Sequence, residues 1–544
     1  MNRFKLTKTA KILLVFIIVA LIVGGIALGL KTGVIKTDNG TDDISVTDND
    51  NVVKSNSNTD VNIADNDTAS KNNTETAKNT NSSNNTINLS IDEWVGYATI
   101  LQANGGLTTQ PGSIYDKFGI NVNINIINDA TQSSNALIKG DIDGAGYTIN
   151  RLAFLSNKFT SSDTKITMPY ITNYSNGGDG IIALSSIKTI DDLVNAKIGV
   201  PQFSESQAMI VWFVNQSDLP QSDKDKIINN LILFETADET AKAFFAGQID
   251  VAGTWQPYLT QAENMTDSHI LFSTANSTKL IMSGVIFRDD FAKSNPELVS
   301  KFIDGTLQAI DSYDKDLEVL RTSMPMFNGM SDEDIVGMTA DAALATWKNN
   351  MEILNDDAKT IYNNMCDVWT SIGENSDKTI TDTLFDTSYM EALRDKYETS
   401  VVKDETANTN KVSVTKQNEQ EILNTTALLT KSSSVRFIAN TAKFLDTSEA
   451  SAELDDFVSV AKMLDGAIIQ IEGNIASDND SEDGVVLSKQ RAETVKQYFV
   501  MNGIDADRIV VVGNGGTKPI APNDSEENMQ KNRRTDVSFK IIEQ

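Results

Sequence analysis

Residues 12–30, ILLVFIIVALIVGGIALGL, form a run of 19 without a charge. About 20 helical residues, rising roughly 1.5 Å each, span the hydrocarbon core of a bilayer. The run is therefore expected to be a transmembrane helix. Arg3, Lys5, Lys8 and Lys11 precede it, with no acid among them. Positive flanks stay in the cytoplasm, so everything beyond residue 30 is expected outside. A cleaved signal peptide is the rival reading, and Ala27-Leu28-Gly29 weakly imitates a cleavage site. The run is longer than the apolar stretch of an ordinary signal peptide, which favours an uncleaved anchor. No cysteine closely follows it, which excludes a lipoprotein anchor.

The next stretch, 37–86, is almost wholly Asn, Asp, Ser, Thr and Lys. Nothing in it offsets the entropy of ordering, so it is expected to be a disordered tether. A coil of ~50 residues has a typical end-to-end distance of about 40 Å. A second polar stretch, KDETANTNKVSVTKQNEQ at 403–420, marks another boundary. The whole chain carries a formal net charge of -29. That argues against nucleic acid as a partner, because phosphate backbones recruit Lys and Arg. It has one cysteine, Cys366, and one histidine, His269. No intramolecular disulfide and no zinc site of several Cys and His ligands can form, and no metal or cofactor is expected. A histidine-dependent mechanism would have to run through His269, which reads as the entry to a strand.

Between 87 and 400, strand-like and helix-like segments alternate, which indicates an α/β fold with helices covering a sheet. Strands are expected near 87–93, 121–127, 142–147, 180–184, 197–200, 231–234 and 249–252, with helices near 131–139, 150 onward, 207–214 and 239–245. From 295 the chain reads as chiefly helical. Two fragments echo each other: ALIKGDIDGAGYTIN (136–150) and AFFAGQIDVAGTWQP (243–257). Each reads helix, Gly, x, Ile-Asp, small residues, then a polar or aromatic tip, so two lobes are expected to share one plan. Ligands of open α/β sheets bind beyond the carboxyl ends of the strands.

These fragments, with WVGYATILQANGG, GGDGIIAL and SIKTIDDLVNAKIGVPQFSESQ, resemble the periplasmic solute-binding proteins of the nitrate/sulfonate/taurine type, which feed ABC transporters. The resemblance implies a two-lobed, Venus-flytrap fold with the ligand between the lobes. Trp94, Tyr97, Tyr147 and Trp255 sit at strand ends and are candidates to line that cleft. Asn150, Ser204 and Ser206 precede or open helices, whose N-termini favour negative charge; helix capping is the alternative for them. Asp179, near the expected hinge, could meet an amine or hold a turn. A small, anionic solute is the expectation, although no cleft arginine stands out.

From 426 to 544 the segments read β-α-β-α-β, with an opening strand at 435–438 and a helix at 450–464 of regular apolar spacing. RFIANTAKFLD, IIQIEGN, LSKQRAETVKQYFVMNGID, VVGNGGTKPIAPN and KNRRTDVSF resemble the OmpA-like peptidoglycan-binding domain. In that family an Asp after the central strand and an Arg on the next helix grip the zwitterionic diaminopimelate of the peptide stem, a carboxylate for its ammonium and a guanidinium for its carboxylate. The resemblance maps the Arg to Arg491 and the Asp to Ala476, so the acid is missing; Asp478 is a candidate substitute. Asn532 and Arg533 match the family's Asn-Arg-Arg.

The expected organisation is a cytoplasmic stub and transmembrane anchor (1–36), a disordered linker (37–86), a solute-binding domain (87–402, second lobe about 180–284), a linker (403–425) and an OmpA-like α+β domain (426–544). It implies a non-enzymatic, single-pass membrane receptor, its bulk outside near the cell wall, whose partners are a small solute, an ABC permease, peptidoglycan and the membrane. The alternative is a scaffold or sensor that links membrane to wall without transport.

Overall fold

The computed structural model describes residues 85–398 and 412–542, apart from 314, 355, 479 and 480. The expected anchor and tether lie outside these residues. Among the described residues no helix is long and apolar enough to cross a membrane.

Strands β1 (Thr86–Ile91), β2 (Asn121–Ile126), β3 (Gly144–Thr148) and β4 (Ile166–Ser175) open one sheet. The chain then crosses to a second, built from β5 (Asp179–Leu184), β6 (Ile198–Pro201), β7 (Ile232–Phe234), β8 (Val251–Trp255) and β9 (Ser268–Ser273). It returns with β10 (Met282–Arg288) and β11 (Ala342–Leu344). The sheet orders are β11-β4-β10-β3-β1-β2 and β7-β6-β8-β5-β9, so the lobes are joined by two crossovers, β4 to β5 and β9 to β10. Thr274 stitches them together: its hydroxyl lies 2.8 Å from Ser175 Oγ and accepts from the amides of Gly177 (3.0 Å) and Asp179 (3.2 Å).

Patterning explains the layers. In β2, NVNINI alternates exposed and buried, as an edge strand with one wet face should. β4 is buried along its whole length and lies between β11 and β10. The echoed fragments become the same unit twice: the helix Ala130–Lys139 leads through left-handed Gly140 to β3, and the helix Ala237–Phe245 through left-handed Gly247 to β8. Only glycine takes that conformation at no steric penalty. Both strands pair in parallel with an earlier strand of their lobe's sheet, β3 with β1 and β8 with β6.

A third sheet, β12-β15-β13-β14, is built from β12 (Leu429–Ser433), β13 (Ile468–Gly473), β14 (Ile509–Gly513) and β15 (Thr535–Lys540). The helices Thr447–Met463 and Glu482–Met501 accompany it. Two expectations change here. The opening strand is 429–433 and not 435–438; the latter residues carry only a bridge between Phe437 and Phe444. Residues 412–424, read as linker, pack on the sheet instead: Val412, Val414 and Ile422 join Ile468 and Val510, and Lys540 donates to Ile422 O at 2.8 Å. The polar composition of the stretch hid four apolar residues, Val412, Val414, Ile422 and Leu423, that are enough to seat it.

Candidate functional site

Between the lobes lies a cleft of about 430 Å³, within the range of small-molecule sites. Trp94 follows β1, and its indole donates to Asn173 Oδ1 at 2.9 Å. A Cβ at position 96 would stand 2.2 Å from the Asn173 side chain, so Gly96 is what permits this contact. Tyr97 lies over β3, where a Cβ at Gly146 would meet its ring at 2.7 Å. Trp255 ends β8 on the other lobe. Trp94, Tyr97, Trp255 and Asp179 all line the cleft.

Charge in the cleft is lopsided. Asp92, Glu93, Asp179, Glu205 and Asp341 line it, with Arg151 as the single cation among the lining residues. Arg151 is already engaged. It belongs to the helix Ile149–Ser161 of the first lobe, while Glu205 opens the helix Glu205–Gln216 of the second. Their side chains meet at 3.0 Å, and Thr148 Oγ1 donates to the same carboxylate at 2.8 Å, so the pair bridges the lobes. Burial raises the Glu205 carboxyl, but the Arg151 charge and its hydrogen bonds prevail and the net shift is downward. Asp92, Asp179 and Asp341 have no such ion pair among the described residues. Burial, reinforced by Glu205, pushes Asp92 up to about 6. Burial, offset in part by a Ser175 hydrogen bond and reinforced by Glu205 and Asp341, pushes Asp179 up to about 7. Burial alone pushes Asp341 up to about 6.

The anionic-solute expectation does not fit this cleft. Five carboxyl groups and one guanidinium already paired leave no net positive charge to receive an oxyanion. Three residues named from the sequence also lie elsewhere. Asn150 is fully buried, and its amide is directed at Met365 Sδ, 3.1 Å away, in the packing between helices. Ser204 is the N-cap of its helix, accepting from Gln207 N at 3.2 Å and donating to Pro201 O at 2.6 Å. Ser206 is fully buried beneath β8, near Gly253. Capping and packing account for these three. Tyr147 is nearly buried; its hydroxyl donates to Ser133 at 2.8 Å, and it borders a small recess shared with Asp92, Arg151 and Glu205. His269 lies in β9, outside the cleft lining. Cys366 is buried, which pushes its thiol up to about 12 and makes it a poor nucleophile.

Sequence reasoning missed Asp92, Glu93, Arg151, Glu205 and Asp341. Two of them carried a positional signal: Asp92 follows the carboxyl end of β1, and Glu205 stands in the first turn of a helix.

A second pocket, of about 630 Å³, opens in the C-terminal region. Arg491 reaches it from the helix Glu482–Met501, its Nε donating to Thr441 O at 3.0 Å and its guanidinium 5.0 Å over the Phe437 ring. Burial, then the like charge of Arg533, lowers its pKa. Arg533 lines the same pocket and pairs with Glu526 at 2.5 Å; Ala476 lines it without a charge. Asn532 and Asp478 do not line it. Asn532 is buried and fixes the preceding loop, accepting from the amides of Ile520 (2.8 Å) and Ala521 (3.0 Å). Asp478 accepts from Asn523 at 2.8 Å, which ties it to that loop.

Residues 114–316 match the family model described as NMT1/THI5 like, and residues 436–533 that of the OmpA family. Outer membrane protein A of Bordetella avium is 35% identical over 19% of this chain and 56% of its own length. Peptidoglycan-binding protein ArfA of Mycobacterium bovis is 41% identical over 11% of this chain and 19% of its own. A Brucella abortus protein described as a binding protein is 23% identical over 48% of this chain and 81% of its own. The chain spans only 11% and 56% of the length of the first curated relatives it matches. Among solved structures, the periplasmic aliphatic sulphonate binding protein of Escherichia coli aligns with a TM-score of 0.43 at 14% identity, over 56% of this chain and 99% of that one. The chain is a fusion of an NMT1/THI5-like domain, in two α/β lobes, with a C-terminal OmpA domain.

Proposed function

We propose that this chain is the extracytoplasmic solute-binding component of an ABC transporter, that its solute is a small cation with an apolar or planar body, and that its C-terminal domain docks on peptidoglycan. The observation that carries the solute class is the trio Asp92, Asp179 and Asp341 in a cleft walled by Trp94, Tyr97 and Trp255. Asp179 is buried and Asp92 and Asp341 are half-buried; carboxylates so placed without a counter-ion favour a ligand that brings one, and aromatic faces attract cations and stack on planar groups. The relatives named for binding and for peptidoglycan support the two-part reading. Residues 12–30 would hold the receptor to the membrane, and 37–86 would give it reach. In the C-terminal pocket Arg491 would receive a stem carboxylate, assisted by Arg533; with Ala476 in place of the family's acid, the carboxylate left in the pocket for the stem ammonium is Glu526, already paired with Arg533.

The test is a thermal-shift screen of the full chain after refolding to remove carried-over ligand. Amines, quaternary ammonium compounds, protonated heterocycles, sulfonates and oxyanions form the panel. A dose-dependent rise confined to cations supports the reading, since a ligand that binds only the folded state stabilises it by mass action. A rise confined to anions would overturn the solute class. No rise at all would favour the scaffold that links membrane to wall.

A further inference from the structure

The OmpA domain does not hang free of the two lobes. On the second lobe, Ile190 N donates to Leu428 O at 3.1 Å, Ser432 N to Asp218 Oδ2 at 2.6 Å, and Lys431 Nζ to Gln216 Oε1 at 3.1 Å. On the β9-to-β10 crossover, Thr278 donates twice to Asp465, from N at 2.8 Å and from Oγ1 at 2.5 Å. Buried Ser277 donates to Met463 O, and Gly466 N donates to Asn276 O at 3.1 Å. Asn364, on the helix Asp356–Ser371 that packs against the first lobe's helix Ile149–Ser161, donates to Ser459 Oγ at 3.2 Å. One domain thus grips the second lobe, a crossover between the lobes, and a helix packed on the first.

A two-lobed receptor opens by changing backbone angles at its crossovers, and the lobes then rotate apart about them. Contacts that hold a crossover and both of its flanks oppose that rotation. Every bond across this surface that an open cleft would strain adds to the free energy of opening. We propose that the OmpA domain is a hinge clamp: it holds the lobes at one angle, and the cleft opens fully only when the grip on Thr278 and its neighbours is released. The clamp is continuous with the second pocket. β12, which carries Lys431 and Ser432 into the contact, runs straight into Ser434 and Val435 of the pocket wall. Occupancy of that pocket therefore bears on the strand that grips the lobe. These contacts act in the same way whatever the solute is.

The experiment measures the distance between the lobes in the full chain. Spin labels go on cysteines placed at exposed Lys139 and Lys242, one on each lobe, with buried Cys366 left in place. The background with native clamp residues is expected to give one narrow distance distribution. Asp465→Ala removes both Thr278 bonds, and by the strength of hydrogen bonds to charged groups it should raise the open-to-closed ratio roughly tenfold or more. A second, longer distance should appear. Asp218→Ala, on the exposed lobe surface, should act in the same direction to a smaller extent, and its folding does not depend on the crossover. Superimposable distributions for the native clamp and both variants, with near-ultraviolet circular dichroism unchanged, would overturn the clamp.

Discussion

Asp179 opens β5 beside the crossover and is 7% exposed, so its carboxylate is hydrated by little else than the cleft. Replacing it with Asn keeps the shape and the capacity to bond Ser175, and removes the charge. The native carboxyl titrates near 7 instead of 3.8. A folded-state pKa above the unfolded one means that the folded state holds the proton more tightly. The native chain is therefore most favoured at low pH and loses stability as pH rises from about 4 to about 7, at roughly 1.4 kcal/mol for each pH step between them. The full difference is about 4 kcal/mol, of which roughly 2–3 kcal/mol falls between pH 5 and pH 8. Asp179→Asn should cancel this slope, so the variant should be the more stable protein, by a margin that widens from pH 5 to pH 8. Urea unfolding of both chains at the two pH values, with equal m-values, measures it. A margin that stays constant across the range would refute the reasoning, because it would mean that the Asp179 carboxyl does not change protonation in the folded state. The same variant should bind the cationic probe at least tenfold more weakly at pH 8, so stability gained and affinity lost should appear together.

Affinity for a cation should rise between pH 5.5 and pH 8 as Asp92, Asp341 and then Asp179 lose their protons, which isothermal titration in buffers of different ionisation enthalpy would register as proton release on binding; affinity falling over that range would contradict the solute class. Glu205→Gln breaks the ion pair between the lobes and leaves Arg151 as an uncompensated cation in the cleft; cation affinity should fall by roughly 1–3 kcal/mol, since a broken, partly buried pair leaves a charge behind, and unchanged binding in titration would place the pair outside the site's electrostatics. In the second pocket, Arg491→Ala should abolish co-sedimentation with purified cell wall, Arg533→Ala should weaken it less because Glu526 already engages that side chain, and Ala476→Asp should strengthen it by supplying a partner for the stem ammonium. Asn532→Ala should instead cost about 1–3 kcal/mol of stability through the two amides it leaves unbonded, read by thermal unfolding, with wall binding lost only as the loop is lost.

The two-lobed plan was legible because burial and period agree: NVNINI alternates, and the repeated helix-Gly-strand fragments return in both lobes. The aromatic wall was legible because Trp94, Tyr97 and Trp255 stand where strands end. The carboxylates were not, because the chain contains 75 acidic residues and nothing local distinguishes Asp92 or Asp341 from the solvated majority. Their meaning comes from burial, which only the packed lobes create. Ser204 and Asn150 show the converse. A polar residue at a helix start bonds its own backbone or a neighbouring helix as readily as it faces a ligand, and sequence alone does not say which. Arg491 was legible through its helix, whereas Asn532 shares a motif with Arg533 and yet works as a loop brace. The seating of 412–424 was hidden by its polar composition, and the grip on the hinge had no local signature.

Position 466 sits where two backbones touch. A Cβ there would lie 2.9 Å from the Asn276 carbonyl oxygen, with no side chain between them to yield. The hydrogen atom of this glycine is thus a spacer of the smallest possible thickness, and a single added methyl would act as a wedge that lifts the OmpA domain from the crossover without deleting one polar group. Alanine here is therefore expected to keep both domains folded while loosening the contact that the proposed clamp uses, so this one position sets how closely the C-terminal domain seats on the crossover.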